Sequence, residues 1–248
     1  MPRGTSTQLP APVTRARRGY FECRYGQLHV HHAMPPGGGF EEGIPLLCLH
    51  DLPGSGRVFT RLLALSGEDR SMYAPDLPGF GESDGPTERP AMSEYAAAIG
   101  DFLDNMRLRN VAVLALRGGA VPATELALTR PAQITRMILL SVPLLTEAER
   151  QAARSQAQAA LTTDSLLRSE TTRWILESAA QYPLRERLAR LSQRLLVLRP
   201  HDDLWEATAR VREVLPATRV TELPESALEV LSGSPQRITE TARDFLRG

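Results

Sequence analysis

The residues best placed to do chemistry lie in Val111–Pro131, VAVLALRGGAVPATELALTRP. A β-branched and aliphatic run climbs to Ala115-Leu116-Arg117-Gly118-Gly119, and an Ala/Leu-rich helical pattern follows at once. A strand, a sharp turn and a helix form the setting in which the motif G-x-S-x-G presents a nucleophile. Here the middle residue is Arg117. A guanidinium stays protonated and attacks nothing, but it offers a planar fork of donors to a carboxylate or phosphate. Above a helix N-terminus such a cation opposes the helix dipole, at ~0.3–1 kcal/mol, and it needs a partner if water is excluded.

Other candidates flank it in the sequence. His50 and Asp51 end the run IPLLCLH and open the next turn; His201, Asp202 and Asp203 follow RLLVLRP; Ser141 follows RMILL. His50 reads as structural and His201 as a loop histidine, Ser141 has no evident base beside it, and Ser83 in GFGESD reads as a backbone cap. His29, His31 and His32 stand on one predicted strand, where the adjacent His31 and His32 point to opposite faces and make no metal pair. Cys23 and Cys48 build neither a disulfide framework nor a zinc site, and Cys48 sits in an apolar run as a small hydrophobe. All 29 basic residues are arginine, so neither a Schiff-base lysine nor a lysine general base exists. No cofactor and no metal are expected.

The elements that position these residues follow from patterning. At 248 residues, 42% hydrophobic and 23% charged, the chain can bury one large core. A formal net charge of zero argues against nucleic acid or an anionic membrane surface as partner. The start of the chain lacks an apolar signal core, and no apolar run reaches membrane-spanning length, so the cytoplasm is the expected location. GYFECRY and LHVHHAM, around Gly26-Gln27, predict a β-hairpin, and PPGGGFEEG a loop. IPLLCLH, SMYAPD, NVAVLAL, RMILLSV and RLLVLRP are short apolar runs typical of strands covered on both faces, and TRVTELP is a last strand. Helical patterns cover Met92 to Met106, Gly119 to Thr129 and Leu204 to Leu215. Ser93 with Glu94 marks the start of the first of these, and Pro235 the start of a final helix. Alternating strands and helices predict a parallel sheet with helices on both faces. Thr146 to about Leu191 holds no strand pattern, only two or three helices that would form a small lid over the strand ends.

On LLCLHDLPGSG, APDLPGFGESDG, the turn at 115–119 and LLVLRPHDD, the chain resembles an α/β-hydrolase-fold protein over nearly its whole length. The resemblance implies an α/β fold with a mostly parallel central sheet of about eight strands, helices on both faces and a helical lid. Its organisation would be a flexible arm at 1–18, a core at 19–145 and 192–248, and a lid at 146–191. It also implies a Ser-His-acid triad in chain order. The nucleophile position falls on Arg117, the acid position on Asp203 with Asp202 beside it, and the histidine position at about Leu228; no histidine follows His201. The family's His-Gly in the oxyanion loop becomes His50-Asp51, a carboxylate where backbone donors face a developing negative charge. In a well-studied hydrolase, losing the serine or the histidine alone costs about a million-fold in rate, and here both are absent. The string DDLWE is similar to hydrolase-like proteins whose elbow also lacks serine.

The expectation is a pseudo-hydrolase with a dismantled triad, binding a small molecule, an anion or a protein partner. Arg117 either fills the vacated triad space, paired with Asp203 or Asp51 while Leu228 packs where an imidazole would sit, or holds an anionic ligand. The ligand-facing residues would be Arg117, His50, Asp51, Leu116, Gly118, Ser141, His201 and Trp174 of the lid, with Trp205 opening the helix after the acid loop. One alternative is unorthodox cofactor-free acid/base chemistry, a lyase, isomerase or hydrolase using Asp51, His50, His201 or Asp203 with Arg117 as electrostatic clamp. Another is an interaction protein whose lid face or hairpin docks a partner or a second copy.

Overall fold

The computed structural model describes residues 15–36, 43–163 and 169–247, with the side chains of 156–163 left aside. The N-terminal arm, up to residue 14, and most of the PPGGGFEEG loop lie outside the described residues. Eight strands form one sheet in the order β1-β2-β4-β3-β5-β6-β7-β8. They are β1 (Arg17–Cys23), β2 (Gly26–Ala33), β3 (Leu46–Leu49), β4 (Met72–Pro75), β5 (Val111–Leu116), β6 (Ile134–Leu140), β7 (Arg194–Pro200) and β8 (Arg219–Leu223). β2 runs antiparallel to β1 and β4, and the remaining pairings are parallel. The hairpin's first strand begins two residues before the predicted Gly19.

The central strands show why the sheet must be covered twice. Every residue of β3 and β5 is buried. Leu47, Leu49, Val111, Val113 and Ala115 feed one core, and Leu46, Cys48, Ala112, Leu114 and Leu116 the other, the two-residue period of a strand with an apolar layer on each side. The first core is closed by α2 (Met92–Asn105) and α3 (Ala120–Thr129). The second is closed by α1 (Thr60–Ser66), α9 (Ala227–Ser232) and α10 (Pro235–Arg247).

Between β6 and β7 the described chain is helical: α4 (Glu147–Thr163), α5 (Glu170–Gln181) and α6 (Leu184–Leu188). α4 is tied to the core through Glu149, whose two oxygens accept from Arg210 at 2.6 and 2.9 Å. The α5–α6 junction is tied to α3, where the buried Glu125 accepts from the Tyr182 hydroxyl at 2.7 Å and pairs with Arg187. Among the described residues no helix is long and apolar enough to cross a membrane.

Several local expectations are revised. α1 and α9 lie in stretches where the sequence patterning predicts no element. The segment from Leu204 to Leu215 forms two short helices, α7 (Trp205–Ala209) and α8 (Val211–Val214). α2 is capped from Ala91, whose N–H donates to the Glu94 carboxylate at 3.0 Å; Ser93 lies inside the helix instead of starting it.

Candidate functional site

The site forms where β3, β5, β6 and β7 end. At the tip of β5 the chain turns through Arg117–Gly119 into α3. Arg117 has φ 48°, the left-handed region that costs a non-glycine residue of order 1–3 kcal/mol. Gly119 is required by close approach: a Cβ there would meet the carbonyl oxygens of His50 and Leu49. The sharp elbow is thus preserved around a guanidinium.

The Arg117 side chain turns toward carboxylates. Its Nη1 and Nη2 donate to Asp203 at 2.7 and 2.8 Å, and its Nε donates to Asp51 at 3.1 Å. Asp202 stands 3.5 Å from Nη1. The fork-to-carboxylate pairing with Asp203 is the strong bidentate form. Its hydrogen bonds, with the negative charges of Asp51 and Asp202 added, hold the guanidinium well above its usual pKa. The same contact lowers the Asp203 carboxyl. Arg117 does not line the cavity described below, which corrects the expectation that it points into the pocket.

Asp51 does more than pair with Arg117. Its Oδ1 accepts from the backbone N–H of Gly118 and of Leu52, both at 2.8 Å. These are the N–H groups of the residue after the elbow position and of the loop after β3, the two that form an oxyanion hole in this architecture. In this chain both amides already donate to the chain's own carboxylate. Burial pushes the Asp51 carboxyl upward, against the pull of Gly118, Arg117 and Leu52.

His50 is fully buried. Its Nε2 accepts from Leu77 N–H at 2.8 Å and its Nδ1 lies 2.6 Å from the Asp51 carbonyl oxygen. That pattern fixes a neutral ring with a proton on Nδ1, and burial lowers its pKa to about 4. Both nitrogens are engaged, so His50 holds the loop and faces no ligand. His201 is exposed and packs on Trp205, ring centroids 5.2 Å apart, with Arg199 over the indole at 3.6 Å; it is not in the site.

Ser141 needs a different correction. It has φ 60° and is fully buried, and a carboxylate does stand beside it: Oγ donates to Asp202 at 2.8 Å. An ionised aspartate is a weak base for a serine hydroxyl, and burial removes Ser141 from any substrate. Leu228 is also displaced from its expected role. α9 starts with a Ser226–Glu229 capping box, which turns Ala227, Val230 and Leu231 inward and leaves Leu228 57% exposed. Leu228 therefore fills no imidazole space.

Beneath α4–α6 lies a cavity of about 750 Å³. Its apolar wall includes Leu52, Val121, Leu144, Leu176 and Leu184, and Gly118 borders it. Leu116 belongs to the buried core instead, and Trp174 lies off the cavity because α5 presents Arg173, Leu176, Glu177 and Ala180 to it, the i, i+3, i+4, i+7 stripe of one helix face.

The string PDLPGFGESD builds scaffolding. Asp76 Oδ1 accepts from Ser55 Oγ and Gly56 N, both at 2.7 Å, and Oδ2 lies 2.9 Å from both Glu82 N and His29 Nδ1. Burial works to raise its carboxyl, but the donors of Glu82, Ser55, His29 and Gly56 together hold it below its usual value. Ser83 closes the hub from the other side, donating to the Asp76 carbonyl at 2.6 Å and accepting from His29 N at 2.9 Å. His31 joins this group: ligand atoms of His29, His31 and Asp76 lie within 4.8 Å of one another. The adjacent His31 and His32 point to opposite faces, whereas the two-residue strand period brings the i, i+2 pair His29/His31 to one face. With four donors already on Asp76, the cluster is a hydrogen-bond hub.

The chain belongs to the alpha/beta hydrolase fold family, whose model matches residues 44–226. It is 31% identical over 94 residues to an uncharacterised hydrolase of Saccharomyces cerevisiae, YNR064C, a match spanning 38% of this chain and 32% of that protein. Its fold is similar to that of an esterase from Thermogutta terrifontis, at TM-score 0.71 and 18% identity over 94% of this chain and 98% of the esterase. An enol-lactonase from Burkholderia xenovorans aligns at TM-score 0.73 and 18% identity, over 93% of this chain and all (100%) of the lactonase.

Proposed function

We propose that this α/β-hydrolase-fold chain is a ligand-binding protein that does not carry out the serine-hydrolase reaction. A small molecule enters the cavity beneath α4–α6, which serve as its lid, and no acyl-enzyme forms. The supporting observation is the Asp51 carboxylate on the Gly118 and Leu52 amides. Acyl transfer needs those donors free for the oxyanion of the tetrahedral intermediate, and here a negative charge already sits on them. Arg117 cannot supply a nucleophile, and Asp203 has no imidazole to orient.

The same contacts weigh against acid/base chemistry at this place. Asp51 and Asp203 are engaged with Arg117, His50 has both nitrogens occupied, and His201 is turned to the surface. The names of the fold neighbours, an esterase and an enol-lactonase, make hydrolysis the reading to exclude. The test is a panel of p-nitrophenyl esters and small lactones, run on the wild type and on Arg117→Ala. Turnover at the buffer rate in both is expected. Hydrolysis by the wild type that disappears in Arg117→Ala would overturn the proposal.

A further inference from the structure

The cation expected at the elbow is consumed by its own chain, yet the cavity is not short of positive charge. Arg150 and Arg154 on α4, Arg173 on α5 and Arg185 on α6 line it, against Glu177. The arginine side chains are solvent-accessible, about 36% for Arg150, 44% for Arg154 and 43% for Arg185, whereas the wall residues Leu144, Leu184 and Val121 are 2–6% exposed. The cavity therefore has an apolar interior and guanidiniums at its mouth. Arg150 and Arg154 share the carboxylate of Glu147, at 2.7 and 3.9 Å, so that pair keeps an excess of positive charge. Arg185 reaches Glu213 at 2.8 Å. Arg150, Ala153 and Arg154 repeat at i, i+3, i+4, putting both α4 cations on the cavity face. Arginine stems can cover apolar surface while their heads stay in water, and a mouth whose cations outnumber its carboxylates, above a low-dielectric wall, draws in anions.

Resting on the reading of the cavity as a ligand site, we propose that its ligand is an amphipathic anion, with an aliphatic or aromatic body against Leu144, Leu176 and Leu184 and a carboxylate head among Arg150, Arg154 and Arg173. The elbow itself takes no part in holding the head, since Arg117 is locked onto Asp51 and Asp203.

The test compares three probes of one chain length, octanoate, 1-octanol and octylammonium, titrated calorimetrically into the full chain. Octanoate is expected to bind about tenfold tighter than octanol, a difference of ~1.4 kcal/mol, and octylammonium to bind weakest. Raising the ionic strength to about 1 M, where the screening length falls to ~3 Å, should bring octanoate close to octanol. The double variant Arg150→Gln/Arg154→Gln should remove the octanoate preference and leave octanol binding unchanged. Leu176→Trp, which places bulk against the apolar wall where the probes' tails would lie, should weaken binding of all three. Equal binding of octanoate and octanol, or an octanoate preference that survives the double variant, would overturn the anion proposal while leaving the cavity reading intact. Failure of all three probes to bind the wild type would overturn both.

Discussion

The carboxylate of Asp51 lies 2.8 Å from the backbone nitrogen of Gly118, where an enzyme of this architecture holds the oxygen of its transition state. With Leu52 N–H and Arg117 Nε as further donors, the side chain acts as a tethered ligand of a small anion site. Asp51→Ala should leave two amides and one arm of the guanidinium without their acceptor, at about 1–3 kcal/mol. Formate or acetate should then restore the melting temperature saturably in the variant and have little effect on the wild type, while chloride at equal ionic strength should not. Loss of stability without carboxylate rescue would show that the amides do not form an anion site.

Arg117→Ser restores the residue type that the elbow carries in acyl-transfer enzymes. It should not restore the reaction, because His50 has both ring nitrogens bonded, His201 packs on Trp205, and Asp51 still covers the Gly118 and Leu52 amides. Ester turnover is expected within about tenfold of background, against the ~10²–10⁴-fold that a positioned base contributes. The variant also leaves Asp51, Asp202 and Asp203 without their shared cation, so its melting temperature should fall. A burst of acylation in stopped-flow assays would contradict the account of the site.

His50 makes stability depend on pH. Its folded pKa, about 4, lies below the unfolded value of 6.5, so between those limits the unfolded chain binds the extra proton. Stability from this group is fully present above pH 6.5 and falls as pH drops toward 4, by roughly 3 kcal/mol in all. Urea denaturation across that window should show a steeper decline in the wild type than in His50→Gln; equal slopes would remove His50 as the cause.

Gly119→Ala tests the elbow. The added Cβ meets backbone oxygens of Leu49 and His50, which cannot move aside as a flexible side chain would. A loss of about 2 kcal/mol or more is expected, seen as a drop of ~4–8 °C in melting temperature. Gly233→Ala is the control, since an added Cβ there meets a single helix carbonyl, that of Glu229 at 3.1 Å.

The strands were legible because β3, β5, β6 and β7 are covered on both faces and so read as unbroken apolar runs, and the order of elements follows from that rhythm. α1 and α9 were not, since seven and six residues carry too little period to stand out. The turn at Arg117 could be placed from Ala115 and Gly119 alone. What the string could not give is direction: whether a long guanidinium folds outward to Asp203 or inward to the cavity depends on loops that meet only in three dimensions. The cavity's own cations stand on three separate helices and meet at one mouth only in three dimensions. Leu228 failed as an extrapolation of spacing, because the Ser226–Glu229 cap starts a helix one residue too early for a loop residue to reach inward.

The Asp76 hub joins β2, the turn before α1 and the Pro-Gly-Phe-Gly bend through four donors, and none of that bonding involves a reacting atom. Selection for folding alone would keep the string PDLPGFGESD intact after every catalytic group had drifted away. Kinship recognised by those ten letters certifies architecture, and a chain can carry them without ever turning over a substrate.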